Sequence, residues 1–516
     1  VTPLLLTLAL AAASAAGSAP HASPGVAKQA AADPAGLAER RVHVPFAGSA
    51  TLYTPPGRPN RAILFLSGDG GWNLGVVEMA RRAARGSGAV VAGLSLPAYL
   101  KAASSEKVPC WCPACDLEEI GKAVEKQAGF EEPSPPILLG YSSGATLVYA
   151  ALAGGPPETF AGGMSLGFCP DLEGVPPICR HAGWRPSYDA AKRRLDVPPV
   201  DLQRPWVVLQ GSVDKVCGAG ATERFVHAVN GASLARLDGV GHGYGNEKRW
   251  GAAFDAGLRT LLASAAAPAG ALEPPVVAAK ESAGAPQPES GAGPEALESA
   301  LGGLDLPLVT NLTGHPRGFL VFLSGDGGWS SLDRALANRL ARDHIDTIGI
   351  SSLQYFWKEK PAARVAADLR RIVDLLRAAG KPILLGGYSF GAEVAPFLVT
   401  PDFAGLVLVA PGPFATWEVS PMDWLRQKEK PSPDQVRPRI ESLGAGLPLL
   451  CVYGAEDRES ACQGLATTPA HLVRALDGGH HFGGDYDVIA DAVAGFIEKT
   501  LAAGVLTSAS APTPDR

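Results

Sequence analysis

Ser142, in residues 140–144 (GYSSG), and Ser389, in residues 387–391 (GYSFG), both stand in the pattern G-x-S-x-G. A serine hydroxyl becomes a nucleophile when a sharp strand-to-helix turn presents it and an imidazole takes its proton. The apolar ILLG and ILLGG runs before these turns supply the strand, and small residues after them suit the helix. The imidazole needs an orienting acid, and in this arrangement the chain order is Ser, Asp or Glu, His. That order predicts Ser389, Asp457 and His480 in the second half, with Ser142, Asp214 and His242 as a second candidate triad in the first. Serine and acid are 68 residues apart in one set and 72 in the other, and acid and histidine 23 and 28. Glu456 and Glu459 compete with Asp457, which is favoured because it lies three residues past Gly454, as Asp214 lies past Gly211. His481 competes with His480, and the repeat register favours His480.

The turn S-G-D-G-G-W follows an early apolar strand in each half, at residues 67–72 and 324–329. A nucleophile-elbow sheet draws one oxyanion N–H from the residue after the serine and a second from such a loop. The expected donors are the backbone of Phe390 and of Asp326 or Gly327. Asp69 and Asp326 also stand where a carboxylate caps a helix N-terminus. No step of this chemistry calls for a cofactor.

The elements that must position these residues occur twice. Residues 62–73 match 319–330, 137–146 match 383–393, 206–215 match 449–458, and 236–246 match 475–485, in the same order. The chain therefore reads as a tandem duplication. Each block opens with a short, fully apolar strand and ends in a Gly-rich turn, with amphipathic helices between. One such helix is expected at 362–379, with Val365, Leu369, Ile372, Val373 and Leu376 on one face. That alternation predicts an α/β class with two domains, each a mostly parallel sheet flanked by helices. The first is expected at 38–263 and the second at 301–502. Residues 264–300, rich in Ala, Pro, Gly and Glu, read as a linker, and 503–516 as a disordered tail.

Length agrees, since 516 residues suit two or more domains. Lys plus Arg (45) fall below Asp plus Glu (51) and form no basic block, which argues against nucleic acid as a partner. The apolar run from Leu4 to Ala16 is too short to span a bilayer. With Ala13-Ser14-Ala15 as a cleavage site it reads as a signal peptide over 1–22, although no Lys or Arg precedes Lys28. No transmembrane segment is expected in the mature chain. The eight cysteines fall six and two between the halves, as disulfides in an oxidising compartment would. Cys169 and Cys179 bracket a Pro-rich loop and read as a local pair. Cys451 and Cys462 would staple the loop that carries Asp457. The CWCPAC run at 110–115 has no second Cys/His pair at zinc spacing, so no metal is expected.

The set SGDGGW, SLQYFW (residues 352–357), GYSFGAE, YGAED with a following Cys, and GGHHF resembles the VirJ/AcvB family of bacterial virulence proteins. The resemblance covers the second half nearly end to end, and the duplicated layout looks like the tandem, AcvB-like form. It implies two tandem α/β-hydrolase domains, a periplasmic location and a serine esterase acting on aminoacylated phospholipid at the membrane surface. That enzyme would return lysyl- or alanyl-phosphatidylglycerol to phosphatidylglycerol and free amino acid. The family's link to type IV secretion implies secretion components as partners too. Alternatives are an esterase of another substrate and a non-catalytic partner protein, against which two complete triads argue. The substrate's α-ammonium would need an anion, for which Asp326 or Glu393 is the candidate. Glu393 would alternatively favour its helix N-terminus. Tyr355, Phe356 and Trp357 would either flank a lipid entrance or form a buried cluster. The first half lacks this aromatic run and carries Cys110–Cys115 instead, so its substrate would differ.

Overall fold

The computed structural model describes residues 36–105, 110–179, 184–266, 294–419, 433–444, 446–482 and 486–509. The expected signal peptide at 1–22 lies outside them. So do most of the linker and the last residues of the tail.

Eleven strands are described in the first half: β1 (Ala38–Val44), β2 (Gly48–Thr54), β3 (Ala62–Leu66), β4 (Val90–Leu94), β5 (Ile137–Tyr141), β6 (Gly162–Leu166), β7 (Asp171–Glu173), β8 (Ser187–Asp189), β9 (Arg194–Asp196), β10 (Trp206–Gly211) and β11 (Ala232–Leu237). Seven follow in the second: β12 (Leu308–Asn311), β13 (Gly318–Leu323), β14 (Ile345–Ile350), β15 (Ile383–Tyr388), β16 (Phe403–Val409), β17 (Leu449–Gly454) and β18 (His471–Leu476). The first sheet runs β1-β2-β4-β3-β5-β6-β10-β11 and the second β12-β14-β13-β15-β16-β17-β18. Only β1, β2 and β12 pair antiparallel; every other neighbour in these two sheets is parallel. From β2 and β12 onward the two orders are the same. The duplication read from the turns therefore extends to topology, and both halves have the α/β-hydrolase arrangement.

Continuous apolar strands suit this sheet because helices cover both faces. Every residue of β3, β4, β13 and β14 is buried. Two apolar clusters fill each half. The helix Ala362–Arg377 buries Val365, Leu369, Ile372, Val373 and Leu376 together. Asp368 lies on the same face, where it accepts from Tyr355 Oη at 2.7 Å and from Arg364 at 2.9 Å.

Helical structure intrudes on both low-complexity stretches. The helix Glu247–Ala266 enters the expected linker from one side, and Pro294–Gly302 begins within it from the other. Leu301 of the latter is buried in the second core. The final helix, Tyr486–Ala509, runs past 503, where the tail was expected, because its Ala- and Leu-rich composition continues the helical register.

The disulfides are Cys110–Cys179, Cys112–Cys115, Cys169–Cys217 and Cys451–Cys462. The expected Cys169–Cys179 pair does not form. Trp111 bridges Ile178 and accepts from Cys179 N at 2.8 Å, which brings Cys179 to Cys110 instead. Cys169, just past β6, meets Cys217 beside the loop that carries Asp214.

Candidate active site

The serine is the first residue past β5 in the first half and past β15 in the second, held at φ 56° (Ser142) and 49° (Ser389). Non-glycine residues seldom adopt such angles, and the strain presents the side chain above the sheet. The flanking glycines have a specific reason. A Cβ on Gly387 would lie 2.3 Å from the Gly391 carbonyl carbon, and one on Gly391 would lie 2.1 Å from the Leu323 oxygen. Gly140 and Gly144 are equally crowded, at 2.2 and 2.4 Å.

Ser389 Oγ lies 2.8 Å from His480 Nε2, and His480 Nδ1 lies 3.0 Å from Asp457 Oδ2. Burial disfavours the charged form of Asp457, but its hydrogen bond and proximity to His480 outweigh this and lower its pKa. His481 points elsewhere, with Nδ1 2.8 Å from the Tyr388 hydroxyl. In the first half His242 Nε2 lies 2.9 Å from Ser142 Oγ, and Nδ1 lies 2.8 Å from Asp214 Oδ2. An imidazole held between hydroxyl and carboxylate can move the hydroxyl proton and stabilise the resulting imidazolium.

The SGDGGW turn abuts the serine in both halves. A Cβ on Gly68 would sit 2.9 Å from Ser142 Cβ, and one on Gly325 would sit 3.7 Å from Ser389 Cβ. The turn's serine is buried: Ser324 Oγ accepts from Ser352 N at 2.9 Å, and Ser67 Oγ from Leu96 N at 3.0 Å. Its tryptophan lies over a strand glycine, leaving no room for a Cβ on Gly349 or Gly93. These contacts fix the turn and put residues 325–328 beside the elbow. The aspartates do not cap the following helices; Ser330 and Asn73 are the N-cap residues, and Asp333 completes a capping box with Ser330.

The surroundings of Ser389 contain groups that no motif points to. The helix Pro113–Gln127 of the first half lies against the SGDGGW turn of the second. Its Lys122, only 5% exposed, has Nζ 3.1 Å from Asp326 Oδ2, 2.6 Å from Glu119 and 3.2 Å from Glu118. A Cβ on Gly327 would meet Glu118 at 2.8 Å. Burial opposes ionisation of Asp326, but the Lys122 ammonium overrides it and holds that carboxyl at about 2. Burial pushes Glu119 up to about 8 despite Lys122. Glu393 is likewise pushed up to about 8, by burial and then by the Asp326 charge. Glu393 is thus mostly a neutral carboxyl at pH 7 when nothing cationic lies against it.

The aromatic run of the second half is buried, which excludes it from an open entrance. Tyr355 bonds Asp368, and Phe356 packs on Phe390 with ring centroids 5.0 Å apart. Trp357, 4% exposed, donates to the Phe130 carbonyl of the first half at 3.1 Å and carries the Lys126 ammonium 5.0 Å above its ring.

Residues 318–501 match the family described as bacterial virulence protein (VirJ). No curated protein matches the chain. Among solved structures it is similar to the esterase domain of a Rhodothermus marinus protein, at 16% identity and TM-score 0.29, over 44% of this chain and 98% of that one. It is also similar to Est1E from Butyrivibrio proteoclasticus, at 11% identity and TM-score 0.29, over 44% and 98%. The carboxylesterase EstE1 from a metagenomic library matches at 15% identity and TM-score 0.33, over 46% and 92%. Residues 318–501 are a VirJ family domain, and this domain contains the whole Ser389, Asp457 and His480 constellation.

Proposed function

We propose that the protein is a serine esterase working at Ser389, and that its substrate is the aminoacyl ester of lysyl- or alanyl-phosphatidylglycerol at the periplasmic membrane surface. The observation that carries the reaction class is the continuous chain Ser389–His480–Asp457, at 2.8 and 3.0 Å, on a strained elbow. Membership of residues 318–501 in the VirJ family supports the lipid substrate. Four disulfides support an oxidising compartment. No helix among the described residues is long and apolar enough to cross a membrane.

Ser389 Oγ attacks the ester carbonyl while His480 Nε2 takes its proton, and Asp457 holds Nδ1 and balances the imidazolium. The developing oxyanion is met by the N–H of Phe390 and one from Asp326 or Gly327. Collapse expels the lipid glycerol oxygen, which takes the proton from His480. Water, deprotonated by His480, then releases the amino acid from Ser389. With Lys122 already on Asp326, the substrate's ammonium is left to face the exposed carboxylates beside the triad, Glu456 and Glu459.

The test is turnover of lysyl- and alanyl-phosphatidylglycerol in vesicles by the full chain. Ser389→Ala is expected to reduce release of free amino acid by at least ~10³-fold. Undiminished release from that variant overturns the reading.

A further inference from the structure

The first half holds an assembled triad outside the residues that match a family. Ser142 keeps the strained φ of 56°. His242 bridges it to Asp214 at 2.9 and 2.8 Å. Asp214 is more firmly held than its counterpart. Its Oδ1 accepts from Val216 N and Cys217 N, both at 2.9 Å, and Gln210 donates to its Oδ2 at 3.2 Å. The Cys169–Cys217 disulfide ties this loop to the end of β6. Tyr141 donates to the His242 carbonyl at 2.9 Å, which steadies the histidine loop. Ser143 Oγ donates to Asp69 at 2.8 Å and so joins the SGDGGW turn to the elbow. A strained backbone persists only where its surroundings over-determine it, and here every neighbour does so.

What differs is the charge around the triad. In the repeat register, Thr146 stands at the place of Glu393, Val213 at that of Glu456 and Val216 at that of Glu459. Three carboxyl groups near the second triad thus become a hydroxyl and two isopropyl groups. Thr146 is buried and donates to the Cys169 carbonyl at 2.7 Å. Val213 and Val216 are 55% and 67% exposed, the highest values among the exposed large apolar residues described, and they flank Asp214. An exposed apolar pair on the loop of the triad's acid offers an acyl chain an apolar surface and gives an ammonium no counter-charge.

We propose that Ser142, His242 and Asp214 form a second, independent ester-hydrolysing site, specific for uncharged apolar acyl groups. Ser142 Oγ bonds to the acyl carbon, the ester C–O bond breaks, and the hydroxyl proton passes through His242 to the departing alcohol. Water then cleaves the acyl-serine and gives the carboxylic acid. The N–H of Ser143 and one from Asp69 or Gly70 serve the oxyanion.

The experiment uses the full chain carrying Ser389→Ala, which silences the other site, with p-nitrophenyl butyrate as substrate. Turnover is expected to remain, and to fall at least ~100-fold when Ser142→Ala or, separately, His242→Ala is added. Val213→Glu with Val216→Glu should lower kcat/KM for the butyrate ester relative to the acetate ester by ~10-fold. An unchanged ratio overturns the substrate class. Residual turnover indifferent to Ser142→Ala overturns the site, as does a fluorophosphonate that modifies Ser389 of the unaltered protein but never Ser142. Modification of Ser142 without Ser389 supports this site and counts against the proposed function of the other, so the two readings fail separately.

Discussion

Lys122 is one ammonium among several acids. Glu118, Glu119 and Asp326 lie within 3.2 Å of it, and Glu393 senses the Asp326 charge. Not all of these carboxyls can ionise together in a buried place, so protons stay on the least favoured ones. Glu119 and Glu393, both held at about 8, are those groups. Their pKa values are raised on folding, so the folded chain binds more protons than the unfolded chain between about pH 4.5 and 8. Stability is greatest below that window, falls as pH rises through it, and levels off above, at up to ~1.4 kcal/mol per pH unit for each group. Glu393→Gln should therefore make urea-unfolding free energies at pH 5 and pH 8 more nearly equal than in the unaltered protein. Asp326, held at about 2, and Asp457, also lowered, act in the opposite sense and matter only in acid, below about pH 4.

At the scale of elements, the acid-bearing loops depend on cross-links because no helix or strand holds them. Asp457 follows β17, where Cys451–Cys462 closes a segment with a sequence separation of 11. Asp214 follows β10, where Cys169–Cys217 does similar work from a different partner strand. Replacing Cys451 and Cys462 together by Ser should lower stability by about 2–3 kcal/mol, measured by chemical unfolding. It should also reduce kcat on a soluble ester more than KM, because the acid loses its position rather than the substrate its contacts. The strands, the Ala362–Arg377 helix and both triads were legible in the sequence, since each is set by local pattern or by a repeat that checks itself. The Cys169 partner was not, because it depends on how two distant loops lie over the end of a sheet. The sequence offered burial of Tyr355 and Trp357 as one of two readings but could not choose between them. It takes Asp368 thirteen residues away and Phe130 of the other half to cover them.

Across the whole molecule, two sheets of the same strand order carry two triads, yet the halves are not equivalent neighbours. The helix Pro113–Gln127 of the first lies at the SGDGGW turn of the second. No spacing rule could have found Lys122, because its partner Asp326 is 204 residues away and belongs to the other copy of the motif. Several ion pairs join the halves, alongside the Trp357–Phe130 hydrogen bond. Besides Lys122 and Asp326 they include Lys126 with Glu418 at 2.6 Å and Arg334 with Glu158 at 2.5 Å. Pairs of this kind weaken with ionic strength, as the screening length shrinks from ~10 Å at 0.1 M salt to ~3 Å at 1 M. The partly exposed pairs, Lys126–Glu418 and Arg334–Glu158, should yield first and the buried Lys122 last. Scattering curves should then show a larger radius of gyration at 1 M sodium chloride than at 0.1 M. Turnover at Ser389 should respond to salt while turnover at Ser142 holds steady. Dissolved electrolyte would thus tune one of the two proposed esterase centres through a helix borrowed from the other half.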